Sequence, residues 1–165
     1  MDSGKVEHIF EPFYNKDSRI LILGTMPSPK SRELGFYYGH PRNRFWMIMA
    51  DLLEGELPET VNQKKLLLTR NHIALWDVLA SCEIKGADDS SIKKPIANDM
   101  DVILGAADIK EVFTTGTKAT DLYKKLCYPK CKVASTGLPS TSPANCACSY
   151  DKLMIAYSKI LDFLK

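Results

Sequence analysis

The chain has 165 residues, 45% of them hydrophobic, with a formal net charge of +2 and a pI near 8.2. That length and apolar share suit one domain, residues 1–165, rather than two domains or a disordered segment, and the small net charge leaves any nucleic-acid role to local patches. No apolar run approaches the roughly 18 residues of a membrane span, and MDSGKVEHIF lacks the apolar stretch of a secretion signal, so five cysteines point to a reducing, cytoplasmic setting with no membrane partner.

RILILG, residues 19–24, is an apolar run ending in glycine and predicts a strand buried on both faces, as in a parallel sheet. The segment TMPSPKSRELG that follows is expected to be irregular. FWMIMADLL (45–53) and TVNQKKLLLTR (60–70) predict helices separated by the breaker EGELPE. IALWDVL (73–79) predicts a second strand, and the polar SCEIKGADDSSIKKPIAND after it, lacking an apolar period, a surface excursion. Next come a helix over 99–106, a third strand EVFTT (111–115), a helix over 118–126 entered through Gly116 and Thr117, and a shorter strand over 132–135. The loop GLPSTSPAN is dense in turn formers, and Ser149 supplies a capping oxygen for a last helix running to residue 165. Strands alternating with helices imply an α/β protein in three layers, α/β/α, with a parallel sheet in the middle.

In open parallel sheets ligands gather at the carboxyl ends of the strands. GTMPSPKSRELGFYYGHPRN, GTK and GLPSTSPAN are therefore the informative loops, all on one rim. None holds G-x-G-x-x-G, a Walker lysine motif or a G-x-S-x-G elbow, which removes local support for dinucleotide, nucleoside-triphosphate or serine-hydrolase chemistry. Cys127 and Cys131, then Cys146 and Cys148, form C-x3-C and C-x-C. The spacing is atypical of zinc or iron–sulfur sites, cysteine is a common small core residue, and no metal or cofactor is expected. Asp51 and Glu54, one helical turn apart, read as a solvated helix flank.

Thr25, Ser28, Lys30, Thr117, Lys118, Ser140, Thr141 and Ser142 put hydroxyls, backbone amides and cations on the rim. Phosphodiester oxygens accept from such groups, although the same residue types also make turns. In YYGHPRNRFW, Tyr37 and Tyr38 stand close to Asn43. A ring stacks on a base, and a carboxamide presents a donor and an acceptor side by side to a base edge. Phe45 and Trp46 open an apolar helical stripe and are assigned to the core.

GTMPSPKSRELGFYYGHPRNRFW together with LPSTSPANCACSY resembles the uracil-DNA glycosylase superfamily, and within it the hypoxanthine-DNA (deoxyinosine) glycosylase branch. IALWDVLASCEIKG and DSSIKKPIAND are similar to that branch too, so the resemblance runs over roughly residues 6–160. It implies a four-stranded, mostly parallel sheet between helices. It also implies a cofactor-free, monomeric, prokaryotic enzyme that acts at the nucleoid in base-excision repair. The partner would be DNA containing a deaminated base, which the enzyme swings out of the duplex and removes to leave an abasic site.

Most branches carry an Asp or Asn just after the first strand to position water; here Thr25-Met26-Pro27-Ser28 follows Gly24, with Met26 in that slot. In the hypoxanthine branch the essential asparagine lies in HPRN, which is Asn43. Its amide N–H would donate to the purine O6 or position water, and its carbonyl would accept from N1–H. Tyr38 resembles the ring that stacks on the extruded base, with Thr25, Met26, Pro27 and Ser28 around it. His40 either stabilises the departing base or braces its loop. Ser140, Thr141, Ser142, Pro143, Ala144 and Asn145 correspond to the loop that wedges into the vacated stack, with small Ala144 where other branches place a bulky leucine. Gly116, Thr117 and Lys118 line the DNA-facing rim, and Arg42 and Arg44 contact flanking phosphates or pair with acidic neighbours. A broader uracil-DNA glycosylase, a non-catalytic lesion-binding module and a hydrolase of free nucleotides remain as alternatives.

Overall fold

The computed structural model describes residues 4–7 and 10–164. In chain order the elements are β1 (Gly4–Glu7), β2 (Ile20–Gly24), α1 (Pro29–Leu34), α2 (Phe45–Leu52), α3 (Val61–Arg70), β3 (Ile73–Asp77), β4 (Leu79–Lys85), β5 (Asp88–Ala97), α4 (Asp101–Leu104), β6 (Glu111–Thr115), α5 (Thr117–Leu122), α6 (Tyr128–Cys131), β7 (Ser135–Leu138) and α7 (Tyr150–Tyr157). Four strands form a parallel sheet in the order β3-β2-β6-β7. β2 is central, with Ile20 opposite Ile73 on one side and Glu111 on the other. Its five residues are all buried, as expected for a strand covered on both faces by helices. The chain moves outward to β3 on one side of β2 and to β6 and β7 on the other, which opens a crevice at the carboxyl ends of β2 and β6.

TMPSPKSRELG is not irregular: it holds α1. The Ser28 side chain accepts from the Ser31 N–H, Pro29 occupies the first turn, where its missing N–H removes no helical bond, and Gly35 closes the helix at a φ of 86°. Thr60 and Gln63 make a reciprocal capping box for α3.

The polar stretch after β3 is likewise not an excursion. It is the β4–β5 hairpin, which pairs with β1 in an antiparallel sheet ordered β1-β4-β5. Its register slips repeatedly between β4 and β5, and such slips break the strict alternation by which an antiparallel strand is recognised in sequence.

Smaller differences fall at element ends. β3 stops at Asp77, and the next strand begins at Leu79. The helix expected over 118–126 is α-helical to Leu122 and then widens into a π turn over Tyr123–Cys127. The strand expected over 132–135 forms at Ser135–Leu138, after Lys132 closes α6 in the left-handed region at φ 61°. α7, capped by Ser149, tightens to a 3₁₀ turn over Ser158–Phe163, and residue 165 lies outside the described residues. Among the described residues no helix is long and apolar enough to cross a membrane.

Candidate active site

The crevice holds a cavity of about 260 Å³ whose floor is made by strand ends. At Gly24 a β-carbon would meet Asp77 Oδ1 at 2.7 Å, Tyr38 Oη at 3.5 Å and Thr115 Oγ1 at 3.7 Å. Glycine at the end of β2 thus lets a carboxylate, a phenol and a hydroxyl converge where any side chain would intrude. Thr115 Oγ1 donates to the Leu23 carbonyl and contacts the Tyr38 hydroxyl at 3.4 Å, tying two strand ends to the loop above them.

That loop is YYGHPRN. Ser31 of α1, itself buried, accepts the Gly39 N–H at 2.8 Å. Tyr37 faces inward: it is 2% exposed, its hydroxyl donates to the Glu11 carbonyl and its own carbonyl accepts the Trp46 indole N–H. Phe45 and Trp46 are core residues on α2. Tyr38 sits at φ 53°, a conformation that costs a non-glycine residue about 1–3 kcal/mol, and is held there by stacking on Phe45 at 3.9 Å with the rings 12° from parallel. Burial and the nearby charge of Asp77 push both phenols well above the ordinary tyrosine range, so they stay protonated donors.

Asn43 is half-buried in the cavity wall. Its Oδ1 accepts the Phe45 backbone N–H at 2.9 Å and the Thr141 hydroxyl at 2.7 Å. A backbone N–H only donates, so the amide orientation is fixed, and the two bonds fill the two lone pairs of the carbonyl oxygen. The NH₂ group has no acceptor among the described residues and is the free polar end of the side chain. At His40, Nδ1 accepts the Arg42 N–H at 3.0 Å, which places the proton of the neutral ring on Nε2. The His40 carbonyl accepts the Asn43 N–H, so this histidine braces the turn that carries the asparagine.

The opposite wall is the loop over 140–145. Thr141 is 1% exposed, Ser142 caps the short 3₁₀ turn Pro143–Asn145, and the Asn145 amide donates to the Ser140 carbonyl. Arg44 clamps this loop to the HPRN turn by donating to the Cys148 carbonyl at 2.6 Å and the Asn145 carbonyl at 3.0 Å. Two of its N–H groups are thus held by backbone oxygens, and no acidic side chain forms a salt bridge with it among the described residues. Arg42 is exposed, lines neither the cavity nor the adjoining groove, and has no side-chain partner among the described residues.

Thr25, Met26, Pro27, Ser28, Tyr38, His40, Asn43, Ser140, Thr141, Ser142, Pro143 and Ala144 all line the cavity. Gly116, Thr117 and Asn145 line an adjoining groove instead, and Gly116 adopts a φ of 91° as the chain turns out of β6. Lys118 lines neither, although its charge acts on the Asp89 carboxyl. Lys30 pairs with Glu33 on the exposed face of α1. The cysteines are free, and no group of three or more His, Cys, Asp or Glu side chains fit to hold a metal occurs among the described residues.

Sequence reasoning missed the two carboxylates of the cavity. Asp77, 4% exposed, ends β3 inside the apolar pattern of IALWDVL and lines the cavity. Asp89 comes from the β4–β5 hairpin, whose tip also brings Ile84, Gly86 and Ala87 to the wall. Partial burial pushes the Asp89 carboxyl above the usual range, Lys118 and a hydrogen bond from Thr25 pull it back, and Asp88 and Asp77 repel its charge. Both lie in stretches likened above to the hypoxanthine branch, IALWDVLASCEIKG and DSSIKKPIAND, but only the strand order and the hairpin bring them to the site.

Comparison with known proteins places this geometry. A family model described as the uracil DNA glycosylase superfamily matches residues 11–164. A protein named hypoxanthine DNA glycosylase from Methanosarcina barkeri is 34% identical over 113 residues, covering 67% of this chain and 71% of the relative. A protein of the same name from Methanosarcina acetivorans is 36% identical over 91 residues, covering 54% of this chain and 58% of the relative. The solution NMR structure of a Methanosarcina acetivorans protein, provisionally assigned as a uracil DNA glycosylase, superposes with a TM-score of 0.78 at 26% identity over 94% of this chain and 98% of that one.

Proposed function

The chain belongs to the uracil DNA glycosylase superfamily, whose members hydrolyse N-glycosidic bonds, and from that premise we propose that this DNA glycosylase removes hypoxanthine from DNA after swinging the nucleotide out of the duplex. The observation that carries the reading is the Asn43 amide, locked by its oxygen and presenting its NH₂ to a cavity that Tyr38 also lines. A cavity of about 260 Å³ lies just below the roughly 300–1,000 Å³ of sites for drug-sized ligands, which suits one planar base.

In the reaction a water oxygen bonds to C1′ as the C1′–N bond breaks. The bonding pair leaves with the base, the water proton ends on the base nitrogen, and the sugar keeps a hydroxyl. Negative charge grows on the base as it departs, and a preorganised donor in a dry site stabilises that charge far better than water does. Asn43 supplies the donor to the base carbonyl. Tyr38, braced from behind by Phe45, supplies the stacking surface. His40 braces the loop, while Arg42, Gly116, Thr117, Lys118 and residues 140–145 form the DNA-facing rim. A deaminated base pairs poorly, so extrusion from the duplex costs less than for an intact pair, which supplies part of the selectivity. Uracil presents the same C(=O)–N–H edge as hypoxanthine and is a second substrate on this reading. The protein works as a single domain and a monomer, in the compartment that holds genomic DNA.

The test is incubation with labelled duplexes carrying one inosine or one uracil, followed by alkaline cleavage of abasic sites. Strand breaks at inosine support the proposal; intact strands with every deaminated base overturn it.

A further inference from the structure

We infer that Asp89, carried by the β4–β5 hairpin, is the catalytic base of the hydrolysis, its carboxylate holding the attacking water against C1′ of the extruded nucleotide. This rests on the glycosylase reading and adds to it the group that takes the water proton. A base seated in the cavity is still bonded to a sugar outside it, so the C1′–N bond lies where the cavity opens toward the DNA. The residues that line both the cavity and the adjoining groove mark that border. They are Ala87 and Asp89 from the hairpin tip, and Ser140, Ser142 and Ala144 from the loop of the opposite wall. Asp89 is the one ionisable side chain among them.

Water bonding to carbon needs an acceptor for its proton, and the other polar groups of the cavity are unsuited to that task. Tyr37 and Tyr38 stay protonated. His40 has its Nδ1 lone pair engaged by the Arg42 N–H, which leaves Nε2 carrying the proton. Asp77 is buried at the closed end, its Oδ1 lodged against Gly24, and does not reach the groove. Met26 has only a thioether, a weak acceptor. Asp89 is open to water and is tethered by a hydrogen bond from Thr25, itself buried just beyond the end of β2. Desolvation on its cavity side raises the carboxyl above the usual range, which makes it a stronger base, while the charge of Lys118 favours the ionised form and the charges of Asp88 and Asp77 oppose it.

As the C1′–N bond breaks, its electron pair leaves with the base. The water oxygen bonds to C1′ and gives one proton to the Asp89 carboxylate. The carboxyl then passes that proton through solvent to the departed base, which regenerates the carboxylate. Until then its negative charge also faces the positive charge that grows on the sugar.

The experiment measures single-turnover excision of hypoxanthine by the wild type, Asp89→Asn and Asp88→Asn. Asp89→Asn should lose at least about 100-fold in rate, the low end for one general base, while melting at the wild-type temperature and binding the duplex no more weakly. Asp88→Asn removes an equal charge one residue away, keeps an oxygen to accept the Ser90 N–H and lines the groove alone. It should excise at close to the wild-type rate. An equal loss in both variants reduces the effect to the charge of the hairpin and overturns the inference, as does Asp89→Asn at the wild-type rate. A wild-type protein that releases no base overturns the glycosylase reading beneath it. A second arm adds sodium azide to Asp89→Ala. Azide has no proton to lose, so it should restore base release and leave an azide bonded to C1′, read by mass spectrometry; release unchanged by azide overturns the role of Asp89 as a base.

Discussion

The Thr141 hydroxyl donates to Asn43 Oδ1 at 2.7 Å, joining residues 98 positions apart. This bond ties the loop over 140–145 to the asparagine and, with the Phe45 N–H, fixes the orientation of the carboxamide. Thr141→Val keeps the shape and removes the donor. A misplaced reacting group costs up to about 100-fold in rate, and a lost buried hydrogen bond about 1 kcal/mol of stability. Single-turnover excision of hypoxanthine should therefore fall by tenfold or more, with a small drop in melting temperature, and Thr141→Ser should restore most of both.

Arg42 and Arg44 flank the same asparagine and should behave oppositely. Arg44 holds two backbone carbonyls, so Arg44→Ala should destabilise the protein by about 1.5–3 kcal/mol in urea melts. Arg42 is exposed and free of side-chain partners among the described residues. Arg42→Ala should leave stability unchanged and lower the slope of log affinity against log salt for duplex DNA by about one.

Tyr38 is assigned a stacking role, with a hydroxyl contact to Thr115 of only 3.4 Å. Tyr38→Phe should retain most of the excision rate, because the ring and its stack on Phe45 persist. Tyr38→Leu should weaken inhibition by free hypoxanthine by about 1–3 kcal/mol, the range measured for one base–aromatic stack. Equal inhibition of both variants would remove the ring from the substrate site.

Away from the site, burial and the hydrogen bond to Asp51 push the Tyr150 phenol up to about 12 from 10. The folded protein then holds a proton that the unfolded chain releases. This contribution to stability is fully present below pH 10 and is lost as pH rises toward 12. Asp51→Asn should shrink the fall in melting temperature between those two pH values relative to the wild type. The other buried tyrosines contribute equally to both proteins and cancel.

Much of this was legible in the sequence because it is local. RILILG could only be a doubly buried strand, and HPRN declares its asparagine within a few residues of an aromatic pair. What escaped depends on distant parts meeting. The β4–β5 hairpin hides behind a slipped register that blurs alternation, so nothing local in its sequence places its tip and Asp89 at the cavity. Asp77 ends an apolar strand, and its place in the cavity follows only from β3 lying beside β2, where Gly24 leaves room for its carboxylate. The Arg44 clamp joins loops about 100 residues apart in sequence, and a guanidinium serves carbonyls and phosphates with the same N–H groups, so its backbone partners are not legible from HPRN alone.

The role of the Asn43 amide is tested most directly by single-turnover excision of hypoxanthine with Asn43→Asp. The carboxylate accepts the same two bonds, from the Phe45 N–H and the Thr141 hydroxyl, and so keeps the anchor while deleting the outward donor. Loss of an electrostatic donor of this kind costs about 10²–10³ in rate. A fall of that size, with duplex affinity and melting temperature retained, is the predicted result. Excision at the wild-type rate would contradict the account, since it would mean that the departing base never depended on an N–H from this position.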